Sequence, residues 1–390
     1  MGDALTTMCV AEEEEEEDDT LFDKYKVGER IGVGAFGEVR VCSVSPYYDL
    51  SPEEAAELPE VLAVKIVDQE NAMLKAAEAY TTVRDEVDIL QTMSHEYVVR
   101  LVETFEDHRF LYVVMERVPG GELFKAIRSR NVLVTESDMA KVASQLMQAL
   151  AYLQSVGVVH RDVKAQNILL TKPPDRFGRL LQSTDIKLID FGMAARFPKD
   201  CPTQVLGKNG ENHFKLVCGT PVMAAPEIWS AQDNAPQEWV DMYGGSYGPK
   251  VDVWSAGVVL YLALMGQLPF CDRDVMRLAS MICDPNSLPS FKRVKCMYKV
   301  SENCLAFLRS VLQKDPAERP SAQQAARAKW LQPQRRTRAL DDTPVPAEVF
   351  AAADAQADAA VPHLNPQDPY ANEREIAFKY IQMKAEAALV

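Results

Sequence analysis

"VVHRDVKAQNILL" (residues 158–170) sets charged and amide side chains between two apolar runs. A plain buried strand would not carry His160, Arg161, Asp162, Lys164 and Asn167 through its middle. The ends, Val158-Val159 and Ile168-Leu169-Leu170, read as short buried strands, and the middle reads as a loop held between them. Asp162 can accept or orient the proton of an attacking hydroxyl. Asn167, five residues on, can offer a carbonyl oxygen to a cation. "LIDFGMA" (188–194) has the same form, with Asp190 at the end of an apolar run and Phe191-Gly192 behind it. Asn167 and Asp190 are hard oxygen ligands of the kind that hold Mg²⁺ against phosphates.

Upstream, "GVGAFG" places Gly32, Gly34 and Gly37 in GxGxxG spacing. A dinucleotide-binding fingerprint needs a helix directly after it, but "EVRVCSV" reads as a strand. That favours a glycine hairpin folded over nucleotide phosphates, where backbone amides approach because no side chain intervenes. Lys65 lies on the strand "VLAVKIVD" (61–68), and Glu86 lies in the helical run 76–93 that follows. A lysine held by a carboxylate stays charged and can address phosphate oxygens. Each feature alone has a dull reading: a turn glycine, a snorkelling lysine, an Asp in a turn. Their ordered combination does not.

Taken together, "GVGAFGEV", "AVK", "DEVDIL", "HRDVKAQN", "DFG", "APE" (225–227), "DVWSAGV" (252–258) and Arg319 in "DPAERPS" resemble the protein kinase family. The resemblance spans about 25–331 and implies an α+β, bilobal fold. Its N-lobe (21–118) has a small five-stranded antiparallel sheet and one main helix; its C-lobe (119–331) is larger and mainly helical. It further implies ATP and Mg as cofactors. Lys65 would hold the α/β-phosphates and pair with Glu86. Asp162 would be the catalytic base, Lys164 would steady the transferring phosphate, and Asn167 and Asp190 would hold Mg²⁺. Val39, Ala63, Met115 and Leu169 would border adenine, with the main chain of Glu116 and Val118 hydrogen-bonding it. Glu227 and Arg319 would form a buried ion pair, Asp252 would anchor the 160–167 loop, and His160, Phe191, Leu90 and Leu101 would stack as an apolar column. A kinase-fold binding scaffold would lack Lys65, Asp162, Asn167 or Asp190, and none is lacking.

Within that family the texture of 110–124, 135–162 and 251–270 resembles the calcium/calmodulin-dependent group. Lys164 resembles the Ser/Thr branch, and Thr220 in "CGTPVMAAPE" agrees, since a Thr there can hydrogen-bond Asp162 and Lys164. A protein substrate with a Ser or Thr acceptor is therefore expected. Glu122 in "GGEL" resembles the acid that receives an upstream substrate arginine. The usual second acid would fall at 166, where this chain has Gln166. Thr203 is the activation segment's only hydroxyl before Thr220, which predicts an active state independent of phosphorylation there, with Glu211 as a candidate fixed charge. Calmodulin as a partner rests on the resemblance alone. "QPQRRTRALDD" (332–342) is basic but short, and no EF-hand loop occurs.

Hydrophobic residues make up 47% and charged residues 25%, as in globular chains. The formal charge of −15 (42 basic, 57 acidic) owes over half of its excess to the eight acids of Glu12–Asp19. No basic footprint remains for nucleic acid or an anionic membrane. Residues 1–20 read as a disordered acidic tail, 332–371 as a linker and 372–390 as an amphipathic helix. The insertion 45–60 reads as surface. Met1-Gly2 formally fits an acylation pattern, but Asp3 and the acid run oppose it. Eight scattered cysteines without a CxxC pair predict free thiols and a cytoplasmic setting. "AGVVLYLALMG" (256–266) is too short to span a bilayer and reads as a buried helix.

Overall fold

The computed structural model describes residues 20–33, 37–69, 83–128, 135–175, 180, 183–197, 220–291 and 300–332. The acidic tail, Gly34, Thr203, Glu211 and the helix expected at 372–390 lie outside the described residues. The chain divides into two compact units. One takes the described residues up to Gln69 together with Val102–Arg117, and the other takes the remainder.

The first unit is built on a five-stranded sheet: β1 (Tyr25–Val33), β2 (Gly37–Val44), β3 (Leu62–Asp68), β4 (Leu101–Glu106) and β5 (Phe110–Glu116), in the order β1-β2-β3-β5-β4. Alternation along "LAVKIVD" sends Leu62 and Val64 into a core with Leu21, Tyr25, Cys42, Tyr112 and Val114. Each such aliphatic contributes about 1.5–3 kcal/mol when fully buried. The other parity faces away from that core. The antiparallel register pairs Val39 with Lys65 and Lys65 with Val113; one step along, it pairs Val41 with Ala63 and Ala63 with Met115. Gly32 pairs with Val39. Directly paired residues share a face. The register therefore gathers Gly32, Val39, Ala63, Lys65 and Met115 on one side of the sheet. Gly37 has no alternative there, because a Cβ would lie 1.8 Å from the carbonyl oxygen of Ile66. The 45–60 insertion contains one helical turn, Pro52–Glu57, and leaves Tyr47 exposed.

The second unit contains α1 (Val83–Gln91), α2 (Leu123–Arg128), α3 (Glu136–Ser155), α4 (Pro226–Ser230), α5 (Gln237–Tyr243), α6 (Lys250–Met265), α7 (Val275–Cys283) and α8 (Glu302–Val311). α3 starts on a capping box, with Thr135 Oγ accepting from Asp138 N and the Asp138 carboxylate accepting from Thr135 N. α6 is buried almost all round, as its unbroken apolar text predicts, and ends on Gly266 in the left-handed conformation. The apolar spacing of 301–313 reads as a helix and forms one over Glu302–Val311, capped by Ser301 and Leu312. The stretch 321–330 reads the same way but yields one turn, Ala322–Ala325, then a 3₁₀ turn at Lys329–Leu331. Trp330 explains the break: it is buried, meets Phe307 at 5.1 Å between ring centroids, and donates from Nε1 to Glu136 at 2.9 Å. Tertiary burial of an indole outweighs the small propensity gain of a longer helix. No helix among the described residues is long and apolar enough to cross a membrane.

Candidate active site

Two short antiparallel pairs build the site. β6 (Val158–Val159) pairs with β9 (Ala195–Arg196), and β7 (Ile168–Leu170) pairs with β8 (Ile186–Leu188). The 160–167 loop therefore runs from β6 to β7, and the 189–194 loop runs back from β8 to β9. Pairing at both ends forces the loops together. Ile189 N donates to Asn167 O at 2.9 Å, His160 Nε2 meets Ile189 O at 3.1 Å, and Arg161 Nε donates to Met193 O at 2.6 Å. The His160 and Phe191 rings meet edge-on at 4.7 Å.

Asp252, from the buried helix α6, fixes this loop from below. Its Oδ2 accepts from His160 N at 2.8 Å and its Oδ1 from Arg161 N at 2.9 Å. Burial pushes its carboxyl up to about 6. Arg161 and Asp190 are the two non-glycine residues with positive φ among the described residues, at 65° and 64°. Such conformations cost about 1–3 kcal/mol each and persist where surroundings over-determine them. Here one strained residue is held by Asp252, and the other follows Ile189, whose main chain is bonded on both sides.

Asp162 is buried and accepts from Asn167 Nδ2 at both its carbonyl (2.9 Å) and its Oδ2 (3.1 Å). The amide nitrogen of Asn167 is thus committed to the loop, and the other end of the same amide is an acceptor oxygen. Lys164 Nζ lies 3.1 Å from Asp162 Oδ2. Burial pushes His160 down to about 4. Its Nδ1 accepts from Asp162 N at 3.3 Å, so the neutral ring carries its proton on Nε2. Glu86, buried on α1, lies near the same turn: a Cβ on Gly192 would sit 3.6 Å from Glu86 Oε2 and 3.4 Å from Asp190 Oδ1. Arg196 Nη2 ties β9 to the end of α1 through Asp88 O (3.0 Å) and Thr92 Oγ (2.8 Å).

The outer parts of the site follow. Thr220 leads the 3₁₀ turn Pro221–Met223 and accepts from Met223 N at 2.8 Å. Met223 O is held by Ser255 Oγ of α6 at 2.9 Å. Glu227, in the first turn of α4, receives Arg319 in a buried bidentate pair. Glu122 bridges to Leu169 beside the loop, and Gln166 lies half-buried in the 3₁₀ turn Ala165–Asn167. Gly120 seats that crossing, since a Cβ would lie 2.2 Å from Leu170 O. Val118 and Leu169 belong to this unit, whereas Gly32, Gly37, Val39, Ala63, Lys65, Met115 and Glu116 belong to the sheet unit. Sequence reading missed the left-handed backbone, Gly120, and Lys125, which pairs with Glu122. Lys125 was detectable only as a cation three residues past an acid.

The protein kinase domain model matches residues 25–331. The chain belongs to the protein kinase family. Human "hormonally up-regulated neu tumor-associated kinase" is 33% identical over 314 residues, covering 79% of this kinase chain and 36% of the relative. "Calcium-dependent protein kinase 32" of Arabidopsis thaliana is 34% identical over 310 residues, 79% of this chain and 48% of that one. "Calcium/calmodulin-dependent protein kinase type 1" of Macrobrachium nipponense is 29% identical over 311 residues, 79% and 75% respectively. The chain spans little more than a third of the length of the relatives related to the human one. The kinase fold of this chain is α+β, and its likeness extends to the calcium/calmodulin-dependent group. A kinase domain takes ATP as substrate, usually with Mg²⁺.

Proposed function

We propose that the chain is a protein serine/threonine kinase, transferring the γ-phosphoryl group of ATP to a Ser or Thr hydroxyl. The observation that carries this reading is the Asp162–Lys164–Asn167 cluster, locked on one loop against the loop of Asp190. Asp162 orients the acceptor hydroxyl and takes its proton. Lys164 balances charge on the moving phosphoryl group, and Thr220 steadies both. Asn167 Oδ1 and the Asp190 carboxylate would hold Mg²⁺, and the ion would supply positive charge to the phosphate oxygens. On the family resemblance, Lys65 is assigned to the α/β-phosphates, Glu86 to the lysine, and Gly32, Gly34 and Gly37 to the glycine hairpin that would cover the phosphates. Val39, Ala63, Met115 and Leu169 border adenine, which hydrogen-bonds the main chain of Glu116 and Val118. Glu122 receives an upstream arginine of the substrate, with Gln166 contributing an amide where a second acid would add charge. Activity without phosphorylation of the activation segment belongs to this reading, since Thr203 carries the only hydroxyl between Asp190 and Thr220. The test is Mg-ATP turnover on Ser-, Thr- and Tyr-acceptor peptides. Wild type should phosphorylate Ser/Thr peptides and Asp162→Asn should lose at least about 10²-fold. A wild-type rate no faster than Asp162→Asn refutes the enzyme, and dominance of Tyr acceptors refutes the specificity.

A further inference from the structure

The carboxylate assigned above to a substrate arginine already has a cation on it. Lys125 Nζ pairs with Glu122 Oε1, three residues away. That spacing places both on one helical face at the start of α2. Glu122 itself is well fixed. Its main chain bridges to Leu169, Ala126 N donates to its carbonyl at 3.1 Å, and Gly120 and Gly121 exchange hydrogen bonds with Leu170 at 2.8 and 2.9 Å. The carboxylate is therefore positioned relative to the strand that follows the 160–167 loop. The two partners differ in exposure: the Glu122 side chain is 16% exposed and that of Lys125 74%. The ammonium can leave by rotating its stem, while the carboxylate stays. Charge completes the argument. Glu122 and Lys125 sum to zero, and Gln166 adds none where a second acid would have.

We propose that Lys125 is a specificity-determining residue: an internal occupant of the Glu122 subsite that an incoming substrate arginine must displace. The proposal rests on the Glu122 reading above. A guanidinium can displace it because it binds a carboxylate bidentately, whereas an ammonium is a single point charge. The consequence is a kinase that tolerates substrates without upstream arginine and gains only modestly from one. An exposed lysine–carboxylate pair is weak, so removing the competitor raises arginine selectivity by about two- to fivefold.

The experiment uses the full chain and a peptide series with one Ser acceptor, in which a single arginine is walked through the upstream positions of an alanine parent. The readout is the ratio of kcat/KM for the best arginine peptide to that of the parent. This ratio is insensitive to the fraction of folded enzyme. Lys125→Ala should raise it two- to fivefold through KM, Glu122→Gln should bring it to near one, and the double variant should match Glu122→Gln. If Glu122→Gln leaves the ratio unchanged, the subsite itself is misassigned and the proposal falls with it. If Glu122→Gln flattens it but Lys125→Ala does not raise it, the subsite stands and Lys125 merely supports the helix. A rise that persists in the double variant also overturns the proposal, because Lys125 would then act elsewhere.

Discussion

Removing Arg319 should damage this protein more than removing the charge of its partner Glu227. Both side chains are buried. Arg319 Nη1 donates to Glu227 Oε1 at 2.5 Å and to Lys250 O at 3.1 Å; Nη2 donates to Glu227 Oε2 at 2.9 Å and to Lys314 O at 3.1 Å; Nε donates to Gln313 O at 2.8 Å. A guanidinium has five N–H donors, and these contacts use all of them. The group also lies over the Trp254 ring at 5.1 Å. Arg319→Met therefore strands a buried carboxylate and three carbonyls at once. Breaking a buried pair by removing one partner costs about 3–5 kcal/mol, and carbonyls left without donors add to that. Glu227→Gln leaves the buried guanidinium without its counter-charge but keeps the shape, one good acceptor and all three carbonyl bonds, so a cost at or just below the low end of that range, about 2–3 kcal/mol, is expected. Glu227→Leu combined with Arg319→Met leaves no stranded charge and should cost less than Arg319→Met alone. Urea unfolding followed by tryptophan fluorescence suits the measurement, because Trp229 and Trp254 are buried close to the pair. At about 2–4 °C per kcal/mol for a large domain, Arg319→Met should lower Tm by roughly 6–20 °C. The reasoning is refuted if Arg319→Met costs under about 1 kcal/mol, if Glu227→Gln costs more, or if the double variant is no better than Arg319→Met.

Three further outcomes follow from the same geometry. His160 and Asp252 should oppose each other in acid: burial lowers His160 from its ordinary 6.5 to about 4, so its contribution is full above pH 6.5 and is lost as pH falls toward 4, whereas burial raises Asp252 from 3.8 to about 6, so its contribution is full below pH 3.8 and is lost as pH rises through 6. His160→Phe should therefore make stability rise on acidification between pH 6 and 4 relative to wild type, and Asp252→Asn should make it fall; urea midpoints across that range showing the opposite signs would count against both. Asp252→Ala leaves the amides of His160 and Arg161 without their acceptor, at about 1–3 kcal/mol, and releases the left-handed Arg161, so kcat should drop with little change in ATP affinity, as read by steady-state kinetics. Gly120→Ala would place its methyl 2.2 Å from Leu170 O, so the 119–122 crossing must move; upstream-arginine selectivity should fall together with Tm, while Gly121→Ala, with open space but φ of 77°, should cost only about 1 kcal/mol in a melt.

Much of the first unit was legible because a sheet advertises itself locally. Alternation in "LAVKIVD" separates Leu62 and Val64 from Ala63 and Lys65, and the structure keeps that separation. The 160–167 loop was legible for the opposite reason: charged groups inside an apolar frame demand a role. Less visible was anything fixed by partners distant in the chain. Nothing near Arg161 announces φ of 65°; the acceptor that stabilises it is Asp252, on another helix. Nothing in 321–330 announces that Trp330 will break the helix to reach Glu136. The same limit applies to specificity. In the proposed mechanism Asp162, Asn167 and Asp190 each act through their own atoms, so a motif can carry their chemistry over. In the proposed subsite Glu122 would act through its charge, and the cation paired with it, Lys125, belongs to no motif. Two chains can therefore share "GGELF" and the full phosphoryl-transfer set yet differ in the arginine they require, according to whether the next residue is a cation such as Lys125. On the Lys125 proposal, substrate selectivity lies in residues between the motifs, and it has to be measured there.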